Sequence, residues 1–149
     1  MRSIITHDML VLRAKKWLGN RGCQVVLTEY RSYSPAIPDA IGFSHCKSIV
    51  IECKVSRSDF LHDQKKRHRK YVNQLGNYRY YLTPPNIVCK EDVPEGWGLL
   101  YVLDKRIIKV KEAPGIFGGD VRTAEWQILY SLARRITGHG LMDKILERY

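Results

Sequence analysis

Apolar positions at Leu10, Ala14, Trp17 and Leu18 recur at helical spacing, so the chain opens with an amphipathic helix. Thr6 is placed to cap it, Asp8 stands in its first turn, and Gly19 or Gly22 can end it. The period then changes. "CQVVLTEY" (Cys23 to Tyr30) predicts a strand, and "AIPDAIGF" and "KSIVIECKV" predict two more, joined by a tight loop at Ser44 to Lys47. Ser58 is expected to cap a second helix running to about Leu75. "YRYYLTP" reads as a strand stopped by Pro84 and Pro85, and "WGLLYVL" and "RIIKVKEA" as a hairpin about Asp104-Lys105. Thr123 is expected to cap a third helix with Trp126, Leu129, Leu132, Ala133 and Ile136 inward, before a short helix after Gly140. The pattern shows no repeat, low-complexity tract or linker, and predicts one α/β domain over 1–149.

One strand breaks its own pattern. Ile49, Val50, Ile51, Cys53 and Val55 suit burial on both faces, yet Glu52 and Lys54 sit among them. Burying such charges without partners costs several kcal/mol or more. If Phe43 pairs with Ser48 across the tight loop, Asp39 falls opposite Glu52, where Cβ atoms are about 4.5–5.5 Å apart. Lys54 points to the same side as Glu52 because side chains alternate. Two carboxylates so close repel unless a cation lies between them or one keeps its proton. A hard divalent ion fits, held by carboxylates, a backbone carbonyl and waters.

Charge narrows the partners. The 149 residues carry 25 Lys plus Arg against 15 Asp plus Glu, a net +10, with 44% hydrophobic residues. Such an excess favours a polyanion, nucleic acid before an acidic membrane surface. No apolar run is long enough to span a bilayer and none resembles a signal peptide, so the expectation is an intracellular protein, neither secreted nor in a membrane. Cys23, Cys46, Cys53 and Cys89 have no metal-like spacing and are expected as core residues or free thiols.

Pro38-Asp39 followed by Glu52-Cys53-Lys54 resembles the PD-(D/E)xK signature of the restriction-endonuclease-like nucleases. The order of elements from about Thr6 to Leu82 is similar to that family's core. "KVSRSDFLHDQKKR" resembles its small stand-alone members, among them Holliday junction resolvases, virus-type replication-repair nucleases and a bacterial DNA-repair-linked subgroup. The resemblance implies a central mixed β-sheet flanked by helices, and a Mg²⁺-dependent nuclease (Mn²⁺ substituting) that hydrolyses DNA in repair, recombination or replication. Asp39 and Glu52 would then hold the metal with the Cys53 carbonyl, and Lys54 would act on the attacking water. Glu29 resembles an additional metal ligand, and Gln64 resembles a Gln that relatives carry near the active site. The Tyr that follows that Gln in relatives is replaced here by His68. By analogy with branched-DNA nucleases, a homodimer is implied.

On the second helix Leu61, Gln64, His68, Tyr71, Val72 and Leu75 share one face, and Lys65, Lys66, Arg69 and Lys70 lie on the rest. Those four, with Arg31 and Arg57, are candidate phosphate contacts. Tyr78, Tyr80 and Tyr81 are expected in the strand core, and "APGIFGGD" as a mobile connection. The alternatives are a nucleic-acid-binding module of the same fold that does not cleave, and a protein whose basic face binds an acidic partner.

Overall fold

A computed structural model describes residues 4–32, 36–65 and 75–147. The described residues form an α/β structure with a six-stranded mixed sheet whose spatial order, β1 to β6, is also its chain order. Helix α1 (His7–Asn20) leads into β1 (Val25–Thr28), β2 (Ala40–Phe43) and β3 (Ser48–Cys53). Helix α2 (Arg57–Gln64) follows, then β4 (Tyr78–Thr83), β5 (Gly98–Val102) and β6 (Ile107–Lys111). Helices α3 (Gly119–Gly138) and α4 (Leu141–Leu146) complete the described chain. The β1–β2, β2–β3 and β5–β6 pairs are antiparallel, and β3–β4 and β4–β5 are parallel.

The predicted register holds: Phe43 pairs with Ser48, and the ladder runs to Ala40 opposite Ile51. The Ser44 N–H and hydroxyl both donate to the Lys47 carbonyl and close the turn. Strand β3 is buried throughout because it serves two cores. Ile49, Ile51 and Cys53 face Leu10, Ala14, Trp17 and Leu18 of α1, while Val50 joins Phe60 of α2 and Ala124 and Ile128 of α3 on the opposite face. Alternation puts Glu52 and Lys54 on that second face. Each fully buried Leu, Ile or Phe contributes about 1.5–3 kcal/mol. At the start of β3, Ser48 and Asn77 bond one another reciprocally, and the Ser48 hydroxyl donates to Glu125, tying α3 to the sheet far from the charged end of the strand.

Several local expectations are corrected. The strands are shorter than their apolar patterns: β1 stops at Thr28 because Glu29 turns to a positive φ of 48°, and β2 begins only after Asp39. Ser56, not Ser58, caps α2, its hydroxyl taking the Asp59 N–H at 3.1 Å. That start turns Phe60 and Asp63 inward and leaves Leu61 exposed. Gly118 precedes α3, and Thr123 lies inside the helix, bonding back to the Gly119 carbonyl. Helix α3 buries Val121, Ala124, Ile128 and Ser131, whereas Trp126 is 72% exposed. Both faces of this helix carry apolar residues, and Ala124 and Ile128 are the ones that join the core. "APGIFGGD" is tied down by paired bonds between Ile116 and Asn77. Tyr80 and Tyr81 are core residues, as expected. No described helix is long and apolar enough to cross a membrane.

Candidate metal centre

The ends of β1, β2 and β3 and the first turn of α1 meet at one place. Thr6 accepts the Met9 N–H and fixes that first turn, which presents His7. Glu29 holds its left-handed conformation through a bond from its N–H to the Asp39 carbonyl. A non-glycine residue there costs about 1–3 kcal/mol. His7 Nε2 lies 3.3 Å from Glu29 Oε1 and 3.4 Å from Asp39 Oδ1. The three side chains offer one imidazole nitrogen and two carboxylate oxygens, all within 4.8 Å of one another. This His/Glu/Asp cluster can coordinate a divalent metal, since the oxygens suit hard cations and the nitrogen extends the choice to first-row transition ions.

Asp39 is held from its other side. Its Oδ2 accepts the Cys53 backbone N–H at 2.7 Å. Burial pushes the Asp39 carboxyl above its ordinary range and the Glu29 charge adds to this, while the Cys53 N–H and the His7 and Lys54 charges oppose it. Burial also drives the Cys53 thiol well upward, aided by the negative charges of Asp39, Glu52 and Glu29 and opposed by Lys54.

Glu52 and Lys54 form a second layer of charge, 6% and 7% exposed. Lys54 Nζ lies 3.8 Å from Glu52 Oε2 and 3.2 Å from Oδ1 of Asp63, a buried residue of α2. Among the described residues, the clustered metal-ligand side chains are His7, Glu29 and Asp39: Glu29 and Asp39 of the expected set come together, His7 joins them, and Glu52 lies within 3.8 Å of Lys54. Gln64 donates to the Tyr81 hydroxyl at 2.8 Å, and Tyr81 is the parallel partner of Glu52 on the sheet. Arg57 makes a bidentate pair with Asp92, and Arg31 is exposed with its carbonyl bound by Arg135. Lys65 is exposed at the end of α2. Lys66, Arg69 and Lys70, with His68, Tyr71 and Val72, lie outside the described residues.

Sequence reasoning missed His7 and Asp63. His7 extends the Leu10–Ala14–Trp17 face by one turn, a signal available from spacing alone. Asp63 lies three residues after Phe60 on one helix face, but only with Ser56 as the cap does that face turn inward.

No family model matches the chain, and no curated protein matches it. A solved structure, the SPO1766 protein of unknown function from Silicibacter pomeroyi, is similar at 23% identity with a TM-score of 0.65, over 85% of this chain and 86% of that one. That likeness establishes the fold. The mixed α/β fold with its His/Glu/Asp cluster is consistent with a metal-binding, nuclease-like architecture.

Proposed function

We propose that the chain is a divalent-metal-dependent nuclease that hydrolyses phosphodiester bonds in DNA. The observation that carries this reading is the meeting of Asp39, seated on the Cys53 N–H, with the Glu52–Lys54 pair at one end of β3, beside His7 and Glu29. The donor set fits Mg²⁺ or Mn²⁺: His7, Glu29 and Asp39 would hold the ion, with Glu52 and the Cys53 carbonyl as further oxygen donors. Such an ion would supply Lewis acidity toward a phosphate oxygen and lower the pKa of a bound water.

The chain's own residues supply the rest. Lys54 places a preorganised ammonium where negative charge grows on the phosphate and orients the attacking water. Gln64, anchored on Tyr81, lies on the helix that follows Lys54 and contacts substrate from that side. Arg31, Arg57, Lys65, Lys66, Arg69 and Lys70 provide sequence-independent phosphate contacts, in keeping with the net +10. Selectivity for branched or damaged DNA, and a role in repair, recombination or replication, are the finer parts of this reading.

The test incubates the protein with plasmid, single-stranded and branched DNA in Mg²⁺, Mn²⁺ or chelator. Metal-dependent cleavage lost in Asp39→Asn and in Glu52→Gln is expected. Salt-sensitive DNA binding without cleavage under any metal would leave a binding module instead.

A further inference from the structure

Lys54 is buried, and a strand neighbour alone does not account for its setting. Its nearer carboxylate comes from a different element: Asp63, at 3.2 Å, against 3.8 Å for Glu52. Helix α2 delivers Asp63 through local restraints. Ser56 caps the helix, and Asp59 Oδ2 reaches back to the Val55 N–H, fastening the first turn to the residue after Lys54. One turn on, fully buried Phe60 sets its ring edge-on against Tyr81 at 5.0 Å. Asp63 follows on the same face, 3% exposed.

We infer that Asp63 is a positioning residue that, together with Glu52, holds the buried Lys54 ammonium in place. The inference rests on the nuclease reading for its role, though not for the pairing itself. A carboxylate that neutralises a buried lysine and also faces a divalent cation has its charge divided between them. A second carboxylate, that of Asp63 at 3.2 Å, shares the neutralisation of the ammonium and eases that conflict. Glu52, Lys54 and Asp63 together then form a buried cluster of three charged side chains rather than a simple pair.

The first test needs no activity. In metal-free, ¹⁵N-labelled protein, an ammonium held by a carboxylate exchanges slowly and gives its own proton–nitrogen correlation, assigned to Lys54 by its absence in Lys54→Met. That signal is expected to survive Glu52→Gln and to vanish in Asp63→Asn; persistence in Asp63→Asn overturns the inference. The second test is single-turnover DNA cleavage. Asp63→Asn is expected to slow cleavage roughly 10- to 100-fold, the scale for a partner that orients a working group, with DNA affinity unchanged and partial recovery in Asp63→Glu. In a Lys54→Met background the same substitution should add no further loss, and a full additional loss would overturn the assignment. If wild-type protein does not cleave DNA, the nuclease reading fails while the ammonium signal still decides the pairing. Should Asp63→Asn not fold, Lys54→Met with Asp63→Leu in a Glu52→Gln background removes all three charges together; restored folding supports the pairing and continued unfolding overturns it.

Discussion

The Cys53 backbone N–H donates to Asp39 Oδ2 at 2.7 Å, just beyond the last β2–β3 pair of Ala40 and Ile51. A side chain thus takes over from the ladder where the strands part, and the same carboxylate presents its other oxygen to His7. Asp39→Asn preserves an acceptor for Cys53 and removes the charge. Its fold is expected to remain intact, while the rise in melting temperature produced by Mg²⁺ or Mn²⁺ disappears. Asp39→Ala also abandons the buried N–H, at about 1–3 kcal/mol, so it should unfold earlier than Asp39→Asn even without metal. Equal stability of the two variants in denaturant titrations would contradict the role of this bond.

The imidazole in the cluster sets metal choice. Nitrogen ligands favour Mn²⁺ and later first-row ions over Mg²⁺. His7→Asp is therefore expected to shift preference from Mn²⁺ toward Mg²⁺, read as the ratio of half-saturating concentrations in thermal-shift titrations. An unchanged ratio would remove His7 from the ligand set.

Lys54→Met leaves two buried carboxylates, Glu52 and Asp63, facing a lost cation. Breaking a buried pair from one side costs about 3–5 kcal/mol, so metal-free stability should fall by that order. Cleavage should fall by about 10²-fold, the scale for one preorganised charge at a transition state. Divalent metal should restore part of the stability and little of the rate. A destabilised variant that cleaves normally once folded would make Lys54 structural.

The Arg57–Asp92 pair predicts a pH effect. The Arg57 hydrogen bond, with help from the Cys89 N–H, lowers the Asp92 carboxyl to about 2 from its ordinary 3.8. A depressed folded value means that its contribution is present above 3.8 and is lost as pH falls toward about 2. The pair is at the surface, so the effect is small. Asp92→Asn should flatten that part of the acid limb in denaturant titrations from pH 2 to 5, and an identical slope in wild type and variant would refute it.

The basic residues of and beyond α2 predict a salt signature. Replacing Lys65, Lys66, Arg69 and Lys70 by Gln should weaken DNA binding regardless of sequence and reduce the slope of log affinity against log salt, because fewer counterions are displaced. An unaltered slope would mean that this segment faces away from DNA.

What the sequence made legible was local. The β2–β3 register follows from a short turn and strict alternation, so Asp39, Glu52 and Lys54 could be brought together on paper. His7 and Asp63 depend on how α1 and α2 dock, which no strand periodicity encodes. The burial of α3 was misread for a related reason. Trp126 and Leu129 compete with Val121, Ala124 and Ile128 for the inward side, and periodicity alone does not choose between the two faces. Ser56 and Ser58 are equally good caps by type, and the choice between them rotates the helix face that reaches Lys54.

The sheet order has a further consequence, for how the chain is made. Every strand lies beside the one synthesised before it, so no strand must be threaded between two that are already paired. The sheet can grow by accretion at one edge as the polypeptide emerges. The residues that gather charge, from His7 to Asp63, are all translated before the first residue of β4. The strand that pairs with Glu52 is therefore made after every residue of that charged end, and its Tyr81 packs edge-on against Phe60.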